Sequence, residues 1–480
     1  MKGQRMFFWF LSKPLILLRL KKAIVTIRSE INPILNRMIM RRNLLALILA
    51  IGGLNFAASA QTINSAKLDS FLNVLAANNK TMGSIAIAQN GKIVYQKAVG
   101  YADAGKQIAA NTKTKYRIGS ITKMFTGVIV MQLAEEGKLT VETTLDKFYP
   151  QMPNAGKITV AMMLSHRSGL HNFTNDPAYG GYMATPQTHE QLLSRMAAMA
   201  PDFEPGEKYA YCNTNFVLLG YIIEKITGKP YAEEIKERIV SKIGLADTYY
   251  GGKINVANSE ALPYKYNGGW QEGPQTDMSI PAGAGAIEST PADLVKFADA
   301  LFSGKLISNA SLQKMMPVAE SYGFAMGKSN LDDKIGYGHT GAIDAYRSIL
   351  SYFPGDKVAV SYTANGGSIS TEKIALDALR IYFNKPYALP VFAKPLALSS
   401  VDLDKYLGVY SSPGFPLKIT FTKNNTTLMG TATGQAAIAF ETTVKDVFTF
   451  EPAGIVIEFD TAKNQFTLKQ NGNTTVFTKE

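Results

Sequence analysis

The chain has 480 residues, 46% of them hydrophobic, with one cysteine, four histidines and a formal net charge of +12. Ten Lys/Arg against one acid in residues 1–60 give that segment +9, leaving only +3 for the other 420 residues and no basis for a nucleic-acid partner. A single cysteine excludes an internal disulfide and any cysteine-based metal cluster, and His166, His171, His189 and His339 lack metal-ligand spacing, so neither metal nor cofactor is expected.

The basic end reads as targeting. Arg41 and Arg42 precede an apolar run at 44–54, followed by Ala58-Ser59-Ala60, a small-x-small cleavage signal. Met40 then reads as the true start, with 1–39 an over-extended start and the signal peptide that follows cleaved after Ala60. The run is too short for the ~20 residues that span a bilayer. An exported protein, periplasmic or secreted, with no stable membrane anchor after cleavage is the expectation.

Strand patterns at 84–89 and 92–99 flank Asn90-Gly91, a strong hairpin signal. A helix follows from Ser120, its apolar stripe Ile121, Met124, Phe125, Val128 and Ile129 predicting one buried face, with Gly137 as its stop. Helical patterns dominate from about 140 to 310, at 160–164, 189–200, 215–226 and 231–239. Strands return at 345–353 and 358–363, then a helix at 370–383. Strands at both ends with helices between predict an α+β body: an antiparallel sheet flanked by helices, carrying a mainly helical insert. Three prolines mark a linker at 385–400. Beyond it, seven short runs between 417 and 478, separated by Asn-Asn, Gly and Asn-Gly turns, predict a small all-β barrel or sandwich. The domains are therefore 61–384, the linker, and 401–480.

Three short motifs carry chemistry. Ser120 and Lys123 stand one helical turn apart, about 60° around the axis, which sets a hydroxyl beside an amine. Ser-x-x-Lys recurs at Ser311/Lys314 and Ser370/Lys373, and Ser120 is also a good helix cap, so the motif is weak alone. In Tyr211-Cys212-Asn213, an extended segment would point Tyr211 and Asn213 to one side and Cys212 into the body. Asn213 or Asn215 would cap the next helix. His339-Thr340-Gly341, leading toward the strand at 345–353, is the one place where a basic residue precedes Thr-Gly; its glycine would let a substrate backbone come close.

In that order, Ser-x-x-Lys, Tyr-x-Asn and His-Thr-Gly resemble the penicillin-recognising serine hydrolases, which include class C β-lactamases, serine D-Ala-D-Ala carboxypeptidases and esterases. The resemblance spans roughly 65–385, with LSHRSGL at 164–170 and the stretch 281–301 similar as well. It implies an acyl-enzyme on Ser120, a proton relay through Lys123 and Tyr211, and an oxyanion hole from the N–H groups of Ser120 and Ala342. Asn213, His339, Thr340 and Gly341 would bind substrate, and His166 receives no role. Bringing a tyrosine from pKa ~10 to ~7 takes about 4 kcal/mol; one ammonium ~4 Å away supplies about that at an effective dielectric of 20. A charged Lys123 would therefore make Tyr211 the base, whereas a neutral Lys123 would be the base itself. His339 stands where lysine is commonest and, near pKa 6.5, would favour anionic substrates as pH falls toward 6. The expected substrate is a small molecule or short peptide, cell-wall fragments among the candidates: a D-amino-acid peptide, an ester or a β-lactam. A penicillin-binding sensor that acylates once without turnover is the alternative from another class. The motifs do not define the oligomeric state.

Overall fold

A computed structural model describes residues 63–317, 322–392, 396–435, 437–450, 453–470 and 472–480. The expected start at Met40 and the cleavage site lie outside them.

Helix α1 (Ser65–Ala77) leads into the hairpin β1 (Thr81–Gln89) and β2 (Lys92–Val99). Asn90 and Gly91 turn it with φ of 51° and 73°, the doubly positive geometry that suits this dipeptide. The helical insert contains α2 (Thr122–Glu135), α3 (Val160–Leu164), α4 (His189–Ala198), α5 (Asn213–Thr227) and α6 (Pro291–Phe302). Then come β3 (Gly327–Leu331), β4 (Lys334–Ile343), β5 (Tyr346–Phe353), β6 (Val358–Gly367) and α7 (Thr371–Tyr382). The sheet runs β3-β4-β5-β6-β1-β2, antiparallel throughout, so strands from both ends of the domain meet at the β6–β1 pair, as predicted.

Alternation along the strands splits the interior. Ile85, Ile87, Val360 and Tyr362 pack under α1 and α7, whereas Ala86, Ala88, Leu350 and Ala359 face the helical insert. Within the insert α2 is buried on every side, not on one face as its stripe predicts: all residues from 122 to 133 are buried, Lys123 included. Its small and short side chains explain this. A Cβ on Gly127 would lie 2.6 Å from Ala325 Cβ, and Thr126 Oγ1 donates to Gly283 O at 2.6 Å, so neighbours close over the polar side too. On the apolar side Phe125 stacks on Phe297 of α6 with centroids 3.9 Å apart.

The C-terminal unit is a closed antiparallel barrel of eight strands in sequential order, β7 (Gly408–Ser412), β8 (Phe415–Asn424), β9 (Thr427–Ala432), β10 (Ile438–Val444), β11 (Val447–Phe450), β12 (Ile455–Asp460), β13 (Gln465–Gln470) and β14 (Asn473–Lys479). The turn pattern predicts only seven of them. The eighth, β7, is short and Ser/Gly-rich, and it closes the barrel by pairing Tyr410 with Lys479. Closure leaves no edge to aggregate. Phe421, Phe459, Phe466 and Phe477 fill the interior. The Leu396 N–H donates to Thr442 O at 2.7 Å, and Lys80 of the body pairs with Glu441 of the barrel at 3.0 Å.

Candidate active site

Ser120 is held by a tight 3₁₀ turn, Gly119–Ile121, that runs straight into α2. Gly119 adopts φ 52°, and a Cβ there would come 2.9 Å from Ala342 N. Gly341 is needed for the same approach from the other side: its Cβ would lie 2.0 Å from Ile118 O. Ser348 on β5 donates to that same Ile118 carbonyl at 2.8 Å. The glycine expected to admit a substrate backbone therefore first admits the turn that carries the serine. The His-Thr-Gly motif lies inside ten-residue β4 rather than ahead of a strand. Strand β3 pairs with β4 only as far as Gly338, so beyond it the outer edge of β4 has no strand partner among the described residues.

Lys123 Nζ lies 3.0 Å from Ser120 Oγ, 2.8 Å from Asn213 Oδ1 and 2.9 Å from Ala284 O. The Asn213 amide nitrogen donates to Thr174 Oγ1 at 3.1 Å, which fixes the amide oxygen toward the lysine. A neutral amine has two N–H donors and one lone pair. Asn213 Oδ1 and Ala284 O can only accept, so they take both donors and leave the lone pair aimed at the serine hydroxyl. No carboxylate pairs with Lys123 among the described residues. Burial accordingly pushes its pKa down from 10.5 to about 7.

Tyr211 joins this pair. Its ring centroid is 4.9 Å from Lys123 Nζ, and burial drives its pKa up, away from phenolate, although the neighbouring Ser120 hydroxyl acts in the other direction. Cys212 points the other way, 3% exposed, its thiol donating to Leu170 O at 3.3 Å and raised to about 11 by burial. Helix α5 begins at Asn213 itself, with Cys212 as an N-cap that makes no side-chain bond. Neither asparagine is the cap: Asn213 is drawn to Lys123, and Asn215 Oδ1 accepts from Ser168 at 2.6 Å.

His339 departs from its expected behaviour. Nε2 meets Tyr322 OH at 2.9 Å and Nδ1 meets the Thr340 carbonyl. Burial, then the nearby Lys123, push the imidazole down to about 3. A ring held below its ordinary pKa in this way works against a gain for anionic substrates at pH 6. Constant ring ¹⁵N shifts between pH 5 and 8 are the expected NMR result; a midpoint near 6 would reverse it.

Several contributors carry no motif. Tyr322 and Thr174 come from segments without a readable pattern, and the Ala284 carbonyl from the 281–301 stretch, whose resemblance assigned it no role. His166 is wholly buried at φ 58°; its Nδ1 accepts from Cys212 N at 3.1 Å and its ring lies 4.3 Å from that of Tyr211, so it fixes the tyrosine segment. Arg117, three residues before Ser120, donates to Asp344 Oδ2 at 2.9 Å, tying the segment that leads into the serine's turn to the turn after Ala342.

Ser120 and Ala342 line two cavities. One, of about 790 Å³, holds Tyr211, His339, Thr340 and the 367–372 segment. The other, of about 330 Å³, holds Asn213, Phe173, Tyr179 and Asp344.

This sheet, helical insert and Ser–Lys–Tyr cluster define a serine hydrolase of the β-lactamase and penicillin-binding-protein class. The chain belongs to the Beta-lactamase family, whose profile matches residues 75–381. It is 32% identical over 246 residues to a Bacillus subtilis (strain 168) chain named as a penicillin-binding protein, covering 51% of this chain and 61% of that relative. It is 27% identical over 333 residues to the teichoic acid D-alanine hydrolase of Staphylococcus aureus (strain MRSA252), covering 67% and 79%. Among solved structures it resembles a D-stereospecific amidohydrolase from Streptomyces at 25% identity and TM-score 0.56, over 67% of this chain and 98% of that one.

Proposed function

We propose that the protein hydrolyses esters or amides of small D-amino acids, D-alanine above all, through an acyl-enzyme on Ser120. The observation that carries this reading is the buried Lys123 amine, its Nζ 3.0 Å from Ser120 Oγ and its other two neighbours, Asn213 Oδ1 and Ala284 O, both acceptors. Lys123 takes the hydroxyl proton as Oγ attacks the substrate carbonyl, and the Ser120 and Ala342 N–H groups receive the developing oxyanion. The proton passes, with Tyr211 as relay, to the departing alcohol or amine. A water then attacks the acyl carbon, Lys123 again accepting the proton, and Oγ leaves as the hydroxyl. His339, Thr340 and Gly341 flank the substrate along the open edge of β4, and Asn213 contacts its acyl side. The D-amino-acyl preference is supported by what two similar proteins are named for, a D-alanine hydrolase and a D-stereospecific amidohydrolase.

Export belongs to the same reading, supported by the basic, apolar and small-residue sequence before Gln61. N-terminal sequencing of the protein recovered outside the cytoplasm should begin at Gln61.

The test is hydrolysis of D-alanine methyl ester against its L enantiomer, with intact mass recorded on mixing. A D preference of tenfold or more and a transient alanyl adduct, both lost in Ser120→Ala, are expected. Undiminished hydrolysis in Ser120→Ala would reject the assignment. A permanent penicillin adduct with no ester turnover would favour the sensor alternative.

A further inference from the structure

We infer that the groove between the hydrolase body and the barrel is a binding site for the leaving group, and that the substrate is an ester or amide whose departing part carries an extended apolar segment. The inference rests on the proposed acyl-enzyme chemistry and adds to it the side of the molecule on which the larger half of the substrate lies.

The two cavities at Ser120 have different chemistry. The proton that Ser120 loses must reach the departing oxygen or nitrogen, so the leaving group lies on the side of the proton relay. Tyr211 lines the larger cavity and not the smaller one, whereas Asn213 lines the smaller. The acyl group therefore occupies the cavity of about 330 Å³, and the leaving group the one of about 790 Å³.

That larger cavity adjoins another at its far end. Gly367 and Ser368, at the end of β6, line both it and a third cavity of about 510 Å³. The third cavity has the turn Tyr266-Asn267-Gly268 on one wall and Thr427, Phe440 and Phe450 of the barrel on the other. Its aromatic and aliphatic lining suits an alkyl or similarly apolar segment, and its threonines suit hydroxyl groups along it. The Lys80–Glu441 pair bridges body and barrel beside it, which keeps the two walls at a fixed spacing. The barrel thereby supplies the far wall of a path that starts at the serine and follows the leaving group outward.

The consequence is a dependence on leaving-group length at constant acyl group. D-alanine methyl, butyl, octyl and dodecyl esters differ only in the alcohol released. In the native protein kcat/KM should rise at least tenfold from methyl to octyl, because each methylene that enters the groove leaves water. Thr427→Trp fills the groove from the barrel wall and Asn267→Trp from the body wall. Asn267 lies in a turn and Thr427 opens β9, both outside the catalytic cleft, so both variants should keep the methyl-ester rate and lose the rise with chain length. A flat series in the native protein, with Ser120→Ala still inactive, overturns the groove assignment and leaves the acyl-enzyme standing. Equal losses for methyl and octyl esters in both variants also overturn it. Hydrolysis that survives Ser120→Ala removes the chemistry first, a different failure that the same plate of assays separates.

Discussion

Replacing Lys123 by alanine is expected to lower kcat/KM roughly 10²–10⁴-fold, the range by which a positioned general base accelerates such a step. The native pH profile of kcat/KM should fall below an apparent pKa of about 7, because that is where the buried amine gains its proton and loses the lone pair aimed at Ser120. Tyr211→Phe separates the two candidate bases. A slower enzyme with the same limb near pH 7 identifies Lys123 as the titrating group; loss of the limb would hand that role to the phenol. Burial of this lysine also bears on stability. Between pH 7 and 10.5 the unfolded chain holds a proton at Lys123 that the folded chain lacks, so stability rises with pH across that window. The penalty is full below pH 7 and is gone above 10.5. Lys123→Met should therefore lose activity while showing a flatter dependence of unfolding free energy on pH than the native protein over 7–10.5. Identical slopes would mean that the amine stays charged when folded.

The order of these effects follows from what a motif can and cannot encode. Ser120 and Lys123 are legible because one helical turn fixes their spacing, and Tyr211 and Asn213 because period-two alternation fixes their shared side. Both relations are local. The charge state of Lys123 is not local. It depends on burial by segments distant in the chain, Ala284 among them, 161 residues away. The same holds for His339, whose neutrality comes from burial beside Lys123, with Tyr322 OH at Nε2. In the fold, the β1–β2 hairpin and the meeting of both ends at the β6–β1 pair are readable from turn chemistry and alternation. Strand β3 is not, since Gly327–Leu331 has no long apolar alternation and is a strand because it pairs with β4. Barrel strand β7 is illegible for a similar reason. Helix α2 misleads in the other direction: its stripe is real, but burial of the opposite side rests on neighbours that only the tertiary structure supplies.

Asp344→Ala is expected to destabilise the fold by about 3–5 kcal/mol, as removal of one member of a buried ion pair does. The Asp344 side chain is fully buried, accepts from Arg117 at 2.9 Å and takes two further bonds from Thr276, at 3.0 Å from its N–H and 2.7 Å from its hydroxyl. Without it the Arg117 guanidinium, 2% exposed, would have only Glu288 as a counter-charge among the described residues, 3.7 Å away and with its own carboxyl pushed up to about 7 by burial. Activity should fall as well, by roughly 10²-fold in kcat with little change in KM, because Ala342 lies two residues before Asp344 and an oxyanion donor acts in the transition state rather than on bound substrate. Urea unfolding and steady-state kinetics on the same preparation separate the two effects. The double variant Arg117→Met/Asp344→Leu sharpens the comparison, since replacing both charges with apolar groups removes the orphaned cation. Stability should largely return, and kcat should not, because a Met–Leu contact has neither the reach nor the direction of a guanidinium that also donates to Thr276 O and Gly252 O at 2.8 Å each. Full recovery of kcat in the double variant would show that volume alone holds Ala342 against Ser120, and that the ion pair is dispensable for alignment.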